Sequence, residues 1–542
     1  MAVMGQLKPI EEIASGLGIP RGFLIPYGRY MAKVNANLLG GLEKKKDGSL
    51  ILVTSMSSTP AGEGKTTLTI GLAQSMRLIG KNAAACLRQP SIGPFLGSKG
   101  GATGSGLSRV EPVEEISLQF TGDDSSVALA HNFISSVIDN HLHHGNALGI
   151  DASRIFWRRV SSVNDRALRR VRIGAGGEHE REEEFFISAA SEVMSILCLS
   201  RNFADLRARL GAILVALDRN GGPVTLKRLN VDGAAAALLK NALHPNLVQT
   251  IEGAPVFMHG GPFGNISIGC NSLISTSTAL KLADFVLTEA GFSTELGAEK
   301  FFDIKCRTGN LRPSGAVIVA SLRSLRFHGG AKDYNAKDMG AAERGLANLE
   351  KHVENIKRFS VPAAVAINRF GGDEDAELRE VLRMIERLGV PAFAVGVRDE
   401  GGRGGVGLAE WIAQPRDDNG FDFLYPEGMR VKDKISVIAR EMYGAQGVDF
   451  AAGAEKDISD AERLGYGGLP VCVAKTPKSL SDNPGLIGRP AGFRVTVDRV
   501  TPNGGAGFLT ARCGNILLMP GLPEHPLAEK IGLAPDGTVT GI

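Results

Sequence analysis

The sequence predicts an α/β protein with a P-loop-type, mostly parallel sheet in a large first domain and two smaller α/β domains after it. Three observations carry that prediction. Within residues 50–71, an apolar β-branched run, Ile51-Leu52-Val53-Thr54, meets the turn Thr59-Pro60-Ala61-Gly62-Glu63-Gly64-Lys65-Thr66-Thr67, and helical spacing resumes at Leu68. Short buried runs recur at 82–87, 255–258, 285–288, 316–320, 361–367 and 392–397, several of them ending in glycine-rich polar loops. Helical stretches separate these runs, and a crossover helix is what readily joins parallel neighbours.

The turn has the residue types that phosphate needs. Its glycines let backbone N–H groups converge on an anion, Lys65 supplies a point charge, and the Thr66 hydroxyl is the expected Mg²⁺ ligand. The helix that follows aims its positive end at the same spot. Thr59, Pro60, Ala61, Gly62, Glu63, Gly64, Lys65 and Thr66 are therefore the expected nucleotide-binding residues, although a strict motif has glycine where Thr59 stands.

A chain of 542 residues suggests two to four domains. Lys and Arg exceed Asp and Glu by 61 − 58 = 3, which gives no electrostatic case for nucleic acid or a membrane surface as partner. The basic cluster at 166–172 reads as a solvated helix face. The six cysteines lie far apart with no CxxC pair, so they frame neither disulfides nor a zinc site and fit reduced thiols in a cytoplasmic protein. The N-terminal stretch has no long apolar core, and no apolar run approaches the roughly 18 residues of a membrane span, so a soluble protein is expected.

Taken in order, residues 7–18 read as a helix feeding the first strand, and Gly80-Lys81 stops the phosphate-loop helix before the strand at 82–87. Arg88 and Gln89 then open a loop that continues through the glycine-rich 97–106, at a strand's carboxyl end, where α/β sheets bind ligands. Arg88, Lys99 and the glycines suit phosphate or carboxylate oxygens. Asp123, in Phe120-Thr121-Gly122-Asp123, is a candidate for proton or Mg²⁺ work, though an Asp after Gly commonly serves a turn. His131, His141, His143 and His144 lack a companion at metal-ligand spacing. The charged stretch 176–184 reads as a solvated excursion and 186–199 as an amphipathic helix. Strand ends at 259–265 and 289–303, rich in Gly, Glu and Lys, point to one large pocket along a sheet edge. Residues 332–345 read as a lid or linker, 348–359 as a helix, and the tail from Pro470 as a small α/β module.

These motifs together resemble the formate–tetrahydrofolate ligase family nearly end to end: TPAGEGKTT (59–67), GSKGGATGSG (97–106), FTGD (120–123), HGGPFGNISIGCNS (259–272), TEAGFSTELGAEKFFDIKCR (288–307), NLEKHVENIKRF (348–359), AINRF (366–370) and MPGLP (519–523). The resemblance implies that ATP phosphorylates formate and that a tetrahydrofolate nitrogen attacks the formyl phosphate, giving 10-formyltetrahydrofolate. It implies that Lys65, Arg88 and Asp123 lie in the active site and that Phe370 forms one wall of the pterin site. It also implies a monovalent cation, a homotetramer and three domains. These are expected as a catalytic domain at 1–350, a second domain at 351–468 contributing to the folate site, and a small C-terminal domain at 469–542.

Departures sit at functional positions. Gln89 stands where the family has Glu, Gln119 where it has His, Asp124-Ser125 where it has an apolar-His pair, and Leu107 where it has Tyr. Arg398 takes the place of the Trp that faces Phe370 across the pterin, and an arginine stacks on a ring with a different shape and charge. These departures leave two alternatives open: an enzyme that forms an acyl phosphate for another acceptor, or a non-catalytic nucleotide-binding protein.

Overall fold

The computed structural model describes residues 7–60, 62–97, 102–415, 420–514 and 516–542. Ala61 of the expected nucleotide-binding turn and Lys99 of the glycine-rich loop lie outside them.

Seven strands form the parallel core: Ser49–Ser55 (β1), Ala83–Leu87 (β2), Pro255–Met258 (β3), Phe285–Glu289 (β4), Pro313–Ala320 (β5), Ala363–Asn368 (β6) and Ala392–Val395 (β7). Their spatial order is β3-β2-β4-β1-β5-β6-β7, and every neighbouring pair is parallel. Asn246–Thr250 pairs antiparallel with β3 and extends the sheet towards the short strands Ala32–Val34 and Leu24–Pro26.

Strand β1 lies in the middle because both of its faces are apolar. Leu50 and Leu52 enter one core cluster and Ile51 and Val53 the other, so the run reads as continuous rather than alternating. The helix Lys65–Leu78 (α1) packs Leu68, Ile70, Leu72, Ala73 and Met76 into the second cluster, beside Leu408, Ala409 and Ile412. It ends at Gly80, whose φ of +78° allows the reversal into β2.

Elements and core contacts cross both expected domain boundaries, at 350 and at 468. Helix Met339–Lys357 runs across residue 350, and β6 and β7 continue the central sheet beyond it. Across residue 468, Gly447–Phe450 pairs in parallel with Arg494–Val497. Buried apolar side chains from both sides of each boundary join one core cluster, and sequence composition carries no mark of that.

Four expectations are corrected. Residues 186–199 hold a short strand, a 3₁₀ turn and the buried helix Glu192–Leu199. The 176–184 excursion is the return arm of a hairpin, in which Arg181–Glu183 pairs with Val171–Ile173. The basic cluster is no long helix face: Arg166 and Arg169 donate to the carbonyls of Leu522 and Met519, anchoring the C-terminal segment. The lid at 332–345 is in part the first turns of the helix Met339–Lys357.

Candidate active site

Four parallel strands aim their carboxyl ends at one cavity of about 840 Å³. The loop after β1 contributes Thr59, Pro60, Gly62, Gly64, Lys65 and Thr66; that after β2, Arg88 and Gln89; that after β3, Gly261 and Gly264; and the end of β4, Glu289, Gly291 and Phe292. Asn368, the last residue of β6, adds its amide Nδ2, which donates to the Glu63 carbonyl at 3.2 Å. A smaller cavity of about 240 Å³, bordered by Arg158, Glu192 and Arg512, shares no residue with it.

The loop after β1 is held open by its own side chains. Gly64 has φ +76°, and a Cβ there would meet Asn368 Nδ2 at 2.4 Å, so only glycine fits without displacing the amide. Glu63 does not line the cavity; it is buried and its Oε1 accepts from the Thr59 N–H at 2.9 Å. Burial pushes its carboxyl above the ordinary range, against the opposing pull of Lys65. Lys65 Nζ donates to Ser55 Oγ at 3.1 Å, which seats the ammonium at the mouth of β1. The Thr66 hydroxyl donates to Glu289 Oε2 at 2.7 Å.

Arg88 and Gln89 leave β2 on the far side of β4. Arg88 Nε lies 3.8 Å from Glu289 Oε1, within ion-pair range but too long for a hydrogen bond, and neither atom has a hydrogen-bond partner. Gln89 is 5% exposed and its Oε1 also lacks a partner. Buried polar atoms are rarely left unpaired, so three of them around one cavity mark it as a ligand site. Gly291 stands close by: a Cβ there would lie 3.1 Å from Arg88 Nη1, so the absent side chain leaves the guanidinium its place.

Asp123 falls outside the cavity wall. It opens the helix Asp123–His143, where it accepts from Lys33 Nζ at 2.7 Å and from Asn246 Nδ2 at 2.9 Å, and both members of the Lys33–Asp123 pair are buried. The physical reason is local: an acid in the first turn suits the helix's positive end, and Lys33 on the neighbouring strand needs a counter-charge. Phe370 and Arg398, the two expected walls of the pterin site, have separate neighbours. The guanidinium over Phe370 is that of Arg323, 4.7 Å from the ring centre, whereas Arg398 is exposed and its carbonyl accepts from the Leu107 N–H at 2.7 Å. Neither residue lines the cavity.

The charged segment after β4 divides. Glu289 and Gly291 line the cavity, but Glu295, Glu299, Lys300, Asp303 and Lys305 are fully buried beneath it on a helical segment that includes the π-helical stretches Thr294–Ala298 and Phe301–Cys306. Lys300 Nζ donates to the carbonyls of Gly264 and Asn265 at 3.0 and 2.6 Å, and so fixes the loop after β3. Sequence reading gave Lys300 no such role, and its signal was only a lysine at the apolar positions of a helix. Of the histidines, His131 touches Ser191 and the Arg158 carbonyl, and burial lowers its pKa to about 4. Among the described residues no cluster of three or more His, Cys, Asp or Glu is placed to hold a metal.

This site belongs to a chain whose relatives are informative over its whole length. The profile of the family described as formate–tetrahydrofolate ligase matches residues 1–542. A formate–tetrahydrofolate ligase of Bacillus pumilus is 48% identical over 549 aligned residues, covering 100% of this chain and 98% of the relative. One of Symbiobacterium thermophilum is 49% identical, covering 100% and 99%. With a nucleotide-type loop and an arginine facing one cavity in a chain so fully matched, the protein belongs to the formate–tetrahydrofolate ligase family.

Proposed function

We propose that the chain ligates formate to tetrahydrofolate at the expense of ATP, forming 10-formyltetrahydrofolate, ADP and phosphate through formyl phosphate. The observation that carries this reading is the joint presence of Lys65 and Arg88 on one cavity wall, in a chain matched to this family throughout. In the first half-reaction a formate oxygen attacks the γ-phosphorus and ADP leaves. Formate is already an anion at neutral pH, so no base is required, and catalysis consists of positioning and charge neutralisation. Lys65 and the amides of the loop after β1 take the phosphates, and Arg88 holds formate. Thr66, an oxygen donor at the nucleotide end, is the residue to hold Mg²⁺, which when bound neutralises phosphate charge.

In the second half the folate amine attacks the formyl carbon, phosphate leaves, and the amine loses a proton. Gln89 cannot accept that proton as the family's Glu can. We assign the pterin to the region of Phe370, where Arg323 and Arg398 supply cationic rather than indole faces. An acyl acceptor other than tetrahydrofolate is not favoured by relatives named for the folate reaction. A homotetramer, a stimulating monovalent cation and a cytoplasmic location complete the proposal; no helix among the described residues is long and apolar enough to cross a membrane. Incubation with Mg²⁺, ATP, formate and tetrahydrofolate is expected to give 10-formyltetrahydrofolate. ADP release with no formylated folate would overturn the reading.

A further inference from the structure

We infer that Glu289 is the second protein ligand of the nucleotide's Mg²⁺, joining Thr66, and that it sits between the metal and the formate-holding Arg88; this rests on the proposed nucleotide reading. Glu289 ends β4, the strand beside β1, with Cα register Glu289 to Val53, so its carboxylate emerges next to the loop that begins after Ser55. The side chain is 2% exposed and lines the cavity. One oxygen accepts from the Thr66 hydroxyl at 2.7 Å, and the other has no hydrogen-bond partner.

An unpartnered carboxylate oxygen this deep carries an uncompensated desolvation cost unless a ligand satisfies it. Arg88 does not satisfy it in this conformation, since its Nε stops at 3.8 Å and is itself unpartnered. A hydroxyl and a carboxylate side by side are hard oxygen donors. Mg²⁺ characteristically takes one or two such protein groups and completes its shell with substrate phosphates and water, which explains why no larger acidic cluster is required. The Thr66–Glu289 hydrogen bond holds both donors together before the metal arrives.

The test uses the intact protein and Mn²⁺ as a paramagnetic stand-in, titrated against the ADP-bound enzyme by electron paramagnetic resonance, with metal-free ADP affinity measured separately in EDTA. Glu289→Gln is expected to weaken Mn²⁺ binding at least about tenfold. Metal-free ADP binding should hold or strengthen, because a negative charge facing the phosphates is gone. A merely structural brace would weaken both, and that result, like unchanged Mn²⁺ affinity, overturns the inference. Should the amide variant fail to fold, Glu289→Asp, which keeps the charge but withdraws it, is expected to lower Mn²⁺ affinity, and no change would count against the assignment. Wild-type protein that binds no ADP at all would instead remove the nucleotide reading beneath it.

Discussion

Gln89 and Asp123 show how one residue's surroundings decide its role. Gln89 presents an unpartnered amide oxygen to the cavity where a carboxylate would accept the amine proton. Gln89→Glu is therefore expected to raise folate-dependent turnover by about tenfold or more, while formate-dependent exchange between ADP and ATP, which moves no proton, stays within about twofold. Comparing the two rates in one preparation separates the half-reactions. Asp123 compensates Lys33, whose pKa burial lowers despite the carboxylate beside it. Asp123→Asn would leave a buried ammonium without its counter-charge, and denaturant unfolding is expected to show a loss of about 3–5 kcal/mol. A loss below 1 kcal/mol would mean that Lys33 already folds neutral.

At the scale of elements, the buried helical segment after β4 acts as the floor of the site. Lys300 reaches up from it to two carbonyls of the loop after β3, whose Gly264 lines the cavity. Lys300→Met keeps much of the stem's volume and removes the ammonium, stranding both carbonyls. The expected result is a fall in stability of about 2–3 kcal/mol and a rise in the KM for formate or ATP larger than the change in kcat, because the loop positions ligands rather than bonds that break. Equal effects on both constants would assign Lys300 a closer part in the chemistry.

Over the whole molecule, distant stretches of chain are tied through buried ionisable groups. Glu192 opens a core helix and accepts from the N–H groups of Gly505 and Ala506 at 2.8 and 3.1 Å. Burial pushes its carboxyl up to about 7, despite those two bonds, from an ordinary 4.5. The native state thus keeps a proton that the unfolded chain has released, so this contribution is fully present below about pH 4.5 and is lost as pH rises through about 7. The buried imidazoles of His131, His259, His328 and His352, each lowered to about 4 by burial, run the other way and lose stability in acid. Glu192→Gln isolates the carboxyl. Its stability relative to wild type should grow as pH is raised from about 5 to about 7 and level off above that, and a flat difference in unfolding midpoints would refute the assignment.

The strand, loop and helix around Lys65, the run of parallel strands and the family are legible in the residues alone, because these depend on local periodicity and on glycines placed where a turn or a bound anion demands them. Which polar residues share a cavity is settled by the folded arrangement. Arg88 and Glu289 lie 201 positions apart, Lys300 and Gly264 meet across the core, and Arg323 rather than Arg398 covers Phe370. Asp123 has the local look of an active-site acid, yet the strand beside it supplies the lysine that it neutralises. Local sequence fixes backbone conformation over a few residues, whereas the partner of a buried charge is set by strand order and register, which bring together side chains that the chain keeps far apart.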